Sequence, residues 1–123
     1  MQPEIVDFIT TQKDRDLIVS FAIRDEPFDS VNSLTLLRQL EFEPFLPLED
    51  RGVYVSHEGF PGIDDDDRLK SLRWQGEEVQ IETRDGHQFR LDVGAVEPEQ
   101  KRAAVKVLRA MRFDHAFGLR VEL

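Results

Sequence analysis

Ser56-His57-Glu58 sets the three residue types of a hydrolytic relay side by side. In such a relay the imidazole takes the serine proton while the carboxylate holds the ring. Adjacency works against it here. On a strand Ser56 and Glu58 face one way and His57 the other, so the ring reaches neither in relay geometry. No Gly-x-Ser-x-Gly elbow occurs elsewhere. The three residues are expected to be ordinary strand-surface residues.

The run Asp64-Asp65-Asp66-Asp67 raises divalent-cation binding. An EF-hand loop starting at Asp64 would need Gly and Glu where the chain has Leu69 and Gln75, and starts at Asp65 or Asp66 put Lys70 or Ser71 at the glycine position. A solvated acidic loop is the expectation. His57, His87 and His115 have no metal-ligand spacing, and His87, just after a turn, should face solvent. The seven glycines are dispersed, with no phosphate loop, and there is no cysteine for thiol chemistry, thiolate metal sites or disulfides. No catalytic residue, metal ligand or cofactor is assigned.

Two features stand out after this sifting. The stretch from Pro98 to Phe113 holds one acid and five bases, a net +4 in a chain of −9, which leaves −13 elsewhere. Arg102, Lys106 and Arg109 fall at helical spacing opposite an apolar face. They make a candidate docking strip for an acidic partner, although ion pairing with the acidic body or plain solvation is the favoured account. The second feature is Phe42-Glu43-Pro44-Phe45-Leu46-Pro47-Leu48, whose prolines prevent full pairing as a central strand. It reads as an extended arm. Phe42, Phe45 and Leu46 are candidates for binding a partner, with burial in the chain's own core favoured because soluble proteins seldom expose large apolar patches. The nine Phe against one Tyr and one Trp likewise suit a dry core.

The elements that must position these residues follow from periodicity. Val79, Ile81 and Thr83, then Phe89, Leu91 and Val93, alternate with polar residues on either side of Asp85-Gly86. This pattern predicts a hairpin with a two-residue type I′ turn, within three strands over Arg68–Val93. Glu4–Thr11 and Leu17–Arg24 pair as a second hairpin around Lys13–Asp16. Ser33–Gln39 fits a strand or a short helix, and Val53–Ser56 a short strand. Four of the six prolines fall within Pro27–Gly62, so much of that section should be loop held by aromatic anchors. Pro98 opens a helix with Ala104, Val107, Leu108 and Met111 on its apolar face, and Leu119–Leu123 closes the chain as a strand.

With 123 residues the chain forms one domain, residues 1–123. The expected class is α+β: a largely antiparallel sheet built from hairpins, with the Pro98–Arg112 helix on one face. The formal charge of −9 and pI near 4.8 oppose free binding to nucleic acid. No apolar run is long enough to span a membrane, and the N-terminus lacks signal-peptide character, so a cytoplasmic protein is expected. A small acidic interaction module (inhibitor, adaptor or regulatory subunit) acting on a protein partner or as a homodimer is the leading expectation. The alternative is an enzyme or small-ligand binder with a site between the sheet and residues 27–62.

Overall fold

The computed structural model describes every residue except Met1, 26–29, Pro61, 63–65 and Leu123. Eight strands form one sheet: β1 (Glu4–Lys13), β2 (Asp16–Asp25), β3 (Ser30–Gln39), β4 (Tyr54–His57), β5 (Leu69–Gln75), β6 (Glu78–Thr83), β7 (Gln88–Asp92) and β8 (Gly118–Glu122). One helix, α1 (Pro98–Met111), packs against β1 and β2. The class is α+β, as the periodicity predicts.

Spatial order is β4-β3-β2-β1-β7-β6-β5-β8. Every hairpin neighbour is antiparallel, while β1–β7 and β5–β8 are parallel. The sheet curls until its ends meet. Tyr54 of β4 bridges Arg68, just before β5, and Leu69 N donates to Val53 O at 2.8 Å. The first seven strands therefore close on themselves, and β8 extends the far end of β5.

Alternation decides which side chains line the inside. Leu17, Val19, Phe21 and Ile23 of β2, Leu34 and Leu36 of β3, and Leu72 and Trp74 of β5 are all buried. They join Val79, Ile81, Phe89 and Leu91 with the helix residues Ala104, Val105, Val107, Leu108 and Met111 in one core. Trp74 is fully buried and its indole N–H donates to Gly76 O at 3.2 Å, so its polar edge is satisfied. The β1–β7 ladder covers only Glu4 and Ile5. Further along β1, Gln100 of α1 accepts from Ile9 N at 2.9 Å and ties strand to helix.

Three expectations change. The β6–β7 connection is not a type I′ turn. Among the described residues His115 is the sole non-glycine at positive φ, so Asp85 lacks the conformation that turn requires, and only Gly86 (φ +91°) has it. Gly86 N donates to Thr83 O and Thr83 N to His87 O, which makes a three-residue loop. The Phe42–Leu48 arm is not extended: Glu43–Phe45 and Leu48–Asp50 are 3-10 turns, because Pro44 and Pro47 supply the fixed φ that starts a turn as readily as they interrupt a strand. The third concerns the phenylalanines. Among the described residues only Phe21, Phe89 and Phe117 are in the core, while Phe8, Phe42, Phe45, Phe60 and Phe113 are exposed; Phe28 lies outside the described residues.

Candidate interaction surface

Arg38 continues the inward-facing series Leu34, Leu36 of β3, so alternation carries a guanidinium into the interior, where it is fully buried. Such a charge needs partners for all its N–H groups. It has them. Nε and one terminal nitrogen donate to Glu43 at 2.7 and 2.8 Å. The terminal nitrogens also donate to the two Asp114 oxygens at 2.8 and 2.6 Å, and to Met111 O at 2.6 Å. The Phe113 ring covers the guanidinium at 4.2 Å. Burial works to lower the Arg38 pKa, but the bonds to Glu43 and Asp114 outweigh it and hold it above its ordinary value. One side chain thus clamps β3, the Glu43–Phe45 turn and the end of α1.

The rest of the 42–51 segment lies outside the strand ladders, yet its carbonyls are occupied. Arg51 donates to Leu46 O and Pro44 O at 3.1 and 3.3 Å. Arg68 reaches Asp50 O at 3.1 Å, with Tyr54 stacked 3.6 Å from its guanidinium. Arg84 donates to Glu49 O and Arg51 O at 3.3 and 3.2 Å. Four arginines, three of them from other parts of the chain, fix the segment in place.

What this scaffold presents is apolar. Phe42 is 61% exposed, Phe45 86%, Leu48 77% and Phe113 61%. Phe42 and Phe45 lie three apart across a 3-10 turn, closed by Phe45 N to Phe42 O at 3.1 Å, so they project on the same side. Glu43 points inward between them, and Asp114, adjacent to Phe113, binds the same guanidinium. Burial of Phe42 and Phe45 in the chain's own core, the favoured expectation, is therefore overturned; Leu46 is half-buried. The aromatic anchors are on the outside, and arginines hold the loop instead.

The helix strip is also exposed. Arg102, Lys106 and Arg109 face solvent, and none makes an ion pair with a described residue, so of pairing with the acidic body and solvation the strip shows the second. The structure does not join the strip and the Phe42–Leu48 segment into one site by any contact among the described residues.

The other chemistry-bearing residues have structural partners. Asp64 and Asp65 lie outside the described residues, but Asp67 is buried rather than solvated. Its carboxylate accepts from Arg68 N (2.9 Å), Asp85 N (3.1 Å), His87 Nδ1 (3.1 Å) and the Thr83 hydroxyl. Burial pushes its pKa up, and the bonds from Thr83, His87 and the two amides outweigh that and keep it below its ordinary value. His87 is thereby held against the turn, only partly open to solvent. His57 is buried, not a surface residue: its Nδ1 accepts from Gly59 N at 3.0 Å, which places the proton on Nε2, 3.3 Å from Glu4. Ser56 and Glu58 stand apart from that ring, and Glu58 accepts from Ser33 N. Among the described residues no group of His, Asp and Glu could hold a metal ion, and no helix is long and apolar enough to cross a membrane.

A groove of about 450 Å³ does lie between the sheet and the 42–51 segment, lined by Tyr54, Arg68, Arg84 and five acidic residues. Its two arginines are spent on backbone carbonyls. Comparison with protein-family models, curated proteins and solved structures yields no match.

Sequence reasoning singled out Phe42, Phe45 and Leu46 but missed Leu48, Phe113 and the arginine scaffold. One signal was legible. A charged residue on the apolar phase of a strand, as Arg38 is after Leu34 and Leu36, calls for buried partners.

Proposed function

We propose that this chain is a small acidic interaction module, acting as an inhibitor, adaptor or regulatory subunit, that binds a different protein through Phe42, Phe45, Leu48 and Phe113. The observation that carries this reading is three large apolar side chains held out on a segment whose backbone is already fixed, with Phe113 exposed on the Arg38 guanidinium that anchors the same segment. Soluble proteins seldom expose such a set without use, and a pre-organised loop spares the ordering cost of binding. Large apolar anchors of this kind often supply much of an interface's energy.

The rim points to the partner's chemistry. Glu41, Glu49, Asp50 and Asp114 are exposed beside the apolar group, and the whole chain carries −9. A partner with an apolar depression edged by Lys or Arg complements both features. A second copy would bring acidic rim against acidic rim. The alternative of an enzyme or ligand-binding site has the 450 Å³ groove in its favour. That groove has few apolar side chains, and its cations face its own loop, so the aromatic surface carries the proposal.

Phe45→Ala separates an anchor from a core residue. At 86% exposure, truncation should change unfolding free energy by less than about 0.5 kcal/mol. A loss near 3–5 kcal/mol would mean that the ring is packed. The wild type should sediment as a monomer, and a photoreactive phenylalanine analogue at position 45 should crosslink to one cellular protein. When that protein is purified, Phe45→Asp should weaken binding at least tenfold. A concentration-dependent dimer abolished by Phe45→Ala would replace this reading with self-association.

A further inference from the structure

The sheet ends at β8, whose only strand neighbour among the described residues is β5. Among the described residues no strand lies beside the other edge of Gly118–Glu122, and an open edge is a template for another extended chain. Leu119 and Val121 point to the side of the sheet where α1 lies, yet the helix leaves them half-buried. Between helix and strand runs a groove of about 260 Å³ lined by Arg109, Arg112, Leu119 and Val121. Lys101, Arg102, Lys106 and Arg109 make no ion pair with a described residue, although the chain holds 25 acids.

We infer that β8 is a docking edge for an acidic, extended segment of a partner protein, which adds a strand to the sheet beneath the basic face of α1. Backbone hydrogen bonds to β8 would supply register, and alternate side chains would supply selectivity. Those facing the helix meet Leu119, Val121 and the Arg109 and Arg112 cations, so carboxylates at these positions are favoured and lysines are repelled. Charge also selects against a second copy. A two-fold β8–β8 pairing would continue the sheet with both helices on one face, setting two +4 strips side by side. This surface shares no residue with the aromatic one, and neither proposal depends on the other.

The test is titration of isotopically labelled protein with the peptide Glu-Val-Glu-Thr-Glu-Val-Glu, followed by amide spectra. Shift changes should concentrate on Gly118–Glu122 and the C-terminal half of α1. Lys106→Glu with Arg109→Glu, two exposed positions, should weaken binding at least tenfold while the unbound variant keeps the dispersed amide spectrum of the folded protein. A version of the peptide N-methylated at every residue should not bind, because it cannot pair with the edge. Binding that survives full N-methylation would overturn the inference, since it would show charge attraction alone. So would equal binding of a single-stranded oligonucleotide of the same charge, shift changes confined to Phe42–Leu48, or a β8-mediated dimer in sedimentation.

Discussion

Arg38 shows most directly how one residue sets the geometry of a surface. Its bonds to Glu43, Asp114 and Met111 O leave no N–H unpaired, and Glu43 is itself buried. Arg38→Met would strand the Glu43 carboxylate and release the Glu43–Phe45 turn. Removing one partner of a buried pair typically costs about 3–5 kcal/mol. Urea unfolding should show a loss of that order, and Arg38→Met with Glu43→Leu should recover part of it. A single-variant loss below about 1 kcal/mol would mean that the clamp contributes little. The acidic partners set the pH response. Asp114 is held below its ordinary value first by its bond from Arg38, and Asp67 by donors that outweigh its burial. Both therefore bind protons less readily folded than unfolded. Their contribution is complete above the unfolded carboxylate value, about 3.9, and is lost as pH falls through the lower folded values. The thermal midpoint should be level above about pH 5 and fall below pH 4, less steeply in Asp114→Asn than in wild type. A midpoint that rises on acidification through that window would contradict this account.

At the scale of elements, the strands were legible because alternation is a local signal that burial of one face enforces. Leu17 to Ile23, Val79 to Thr83, and Phe89 and Leu91 lie where their periodicity places them, with Val93 buried just past the end of β7. The connections were less legible, because distant groups decide them. Asp-Gly fits a type I′ turn, but Asp67, eighteen residues earlier, accepts from Asp85 N, and the Thr83 hydroxyl oxygen accepts from His87 N. These bonds favour the longer loop, with only Gly86 at positive φ. The 42–51 segment failed for the same reason. Its carbonyls are satisfied by Arg68 and Arg84, which no local pattern connects to it. The turn makes a clean test, since a Cβ on Gly86 would meet nothing within 4 Å and backbone strain alone remains. Gly86→Val should cost about 1 kcal/mol or more, and Gly86→Asn clearly less, because Asn tolerates positive φ. Equal costs in equilibrium unfolding would show that φ is not what the position demands.

Over the whole molecule, charge and closure act together. The sheet folds back on itself through short contacts, two residue pairs between β1 and β7 and a bridge between Tyr54 and Arg68. A body of net −9 is therefore closed at seams that few ladder bonds hold. Compactness concentrates like charges, and self-repulsion opposes it. Two opposite salt effects follow. Screening weakens the exposed pairs Arg24–Asp7, Arg90–Glu78 and Arg120–Glu122, which contribute little in water. It also relieves repulsion among 25 acids that only 16 Lys and Arg oppose, four of which stand unpaired on α1 among the described residues. The Arg38 cluster is buried and is screened much less. Because the exposed pairs are few and weak, relief of repulsion should win. Raising NaCl from about 20 mM to about 500 mM, which shortens the screening length to a few ångströms, should raise stability by about 1 kcal/mol. The thermal midpoint should rise by several degrees. Sulfate would confound the result through its exclusion from apolar surface, so chloride is the salt to use. A midpoint that falls in chloride would show that surface ion pairs, and not net charge, govern the stability of this fold.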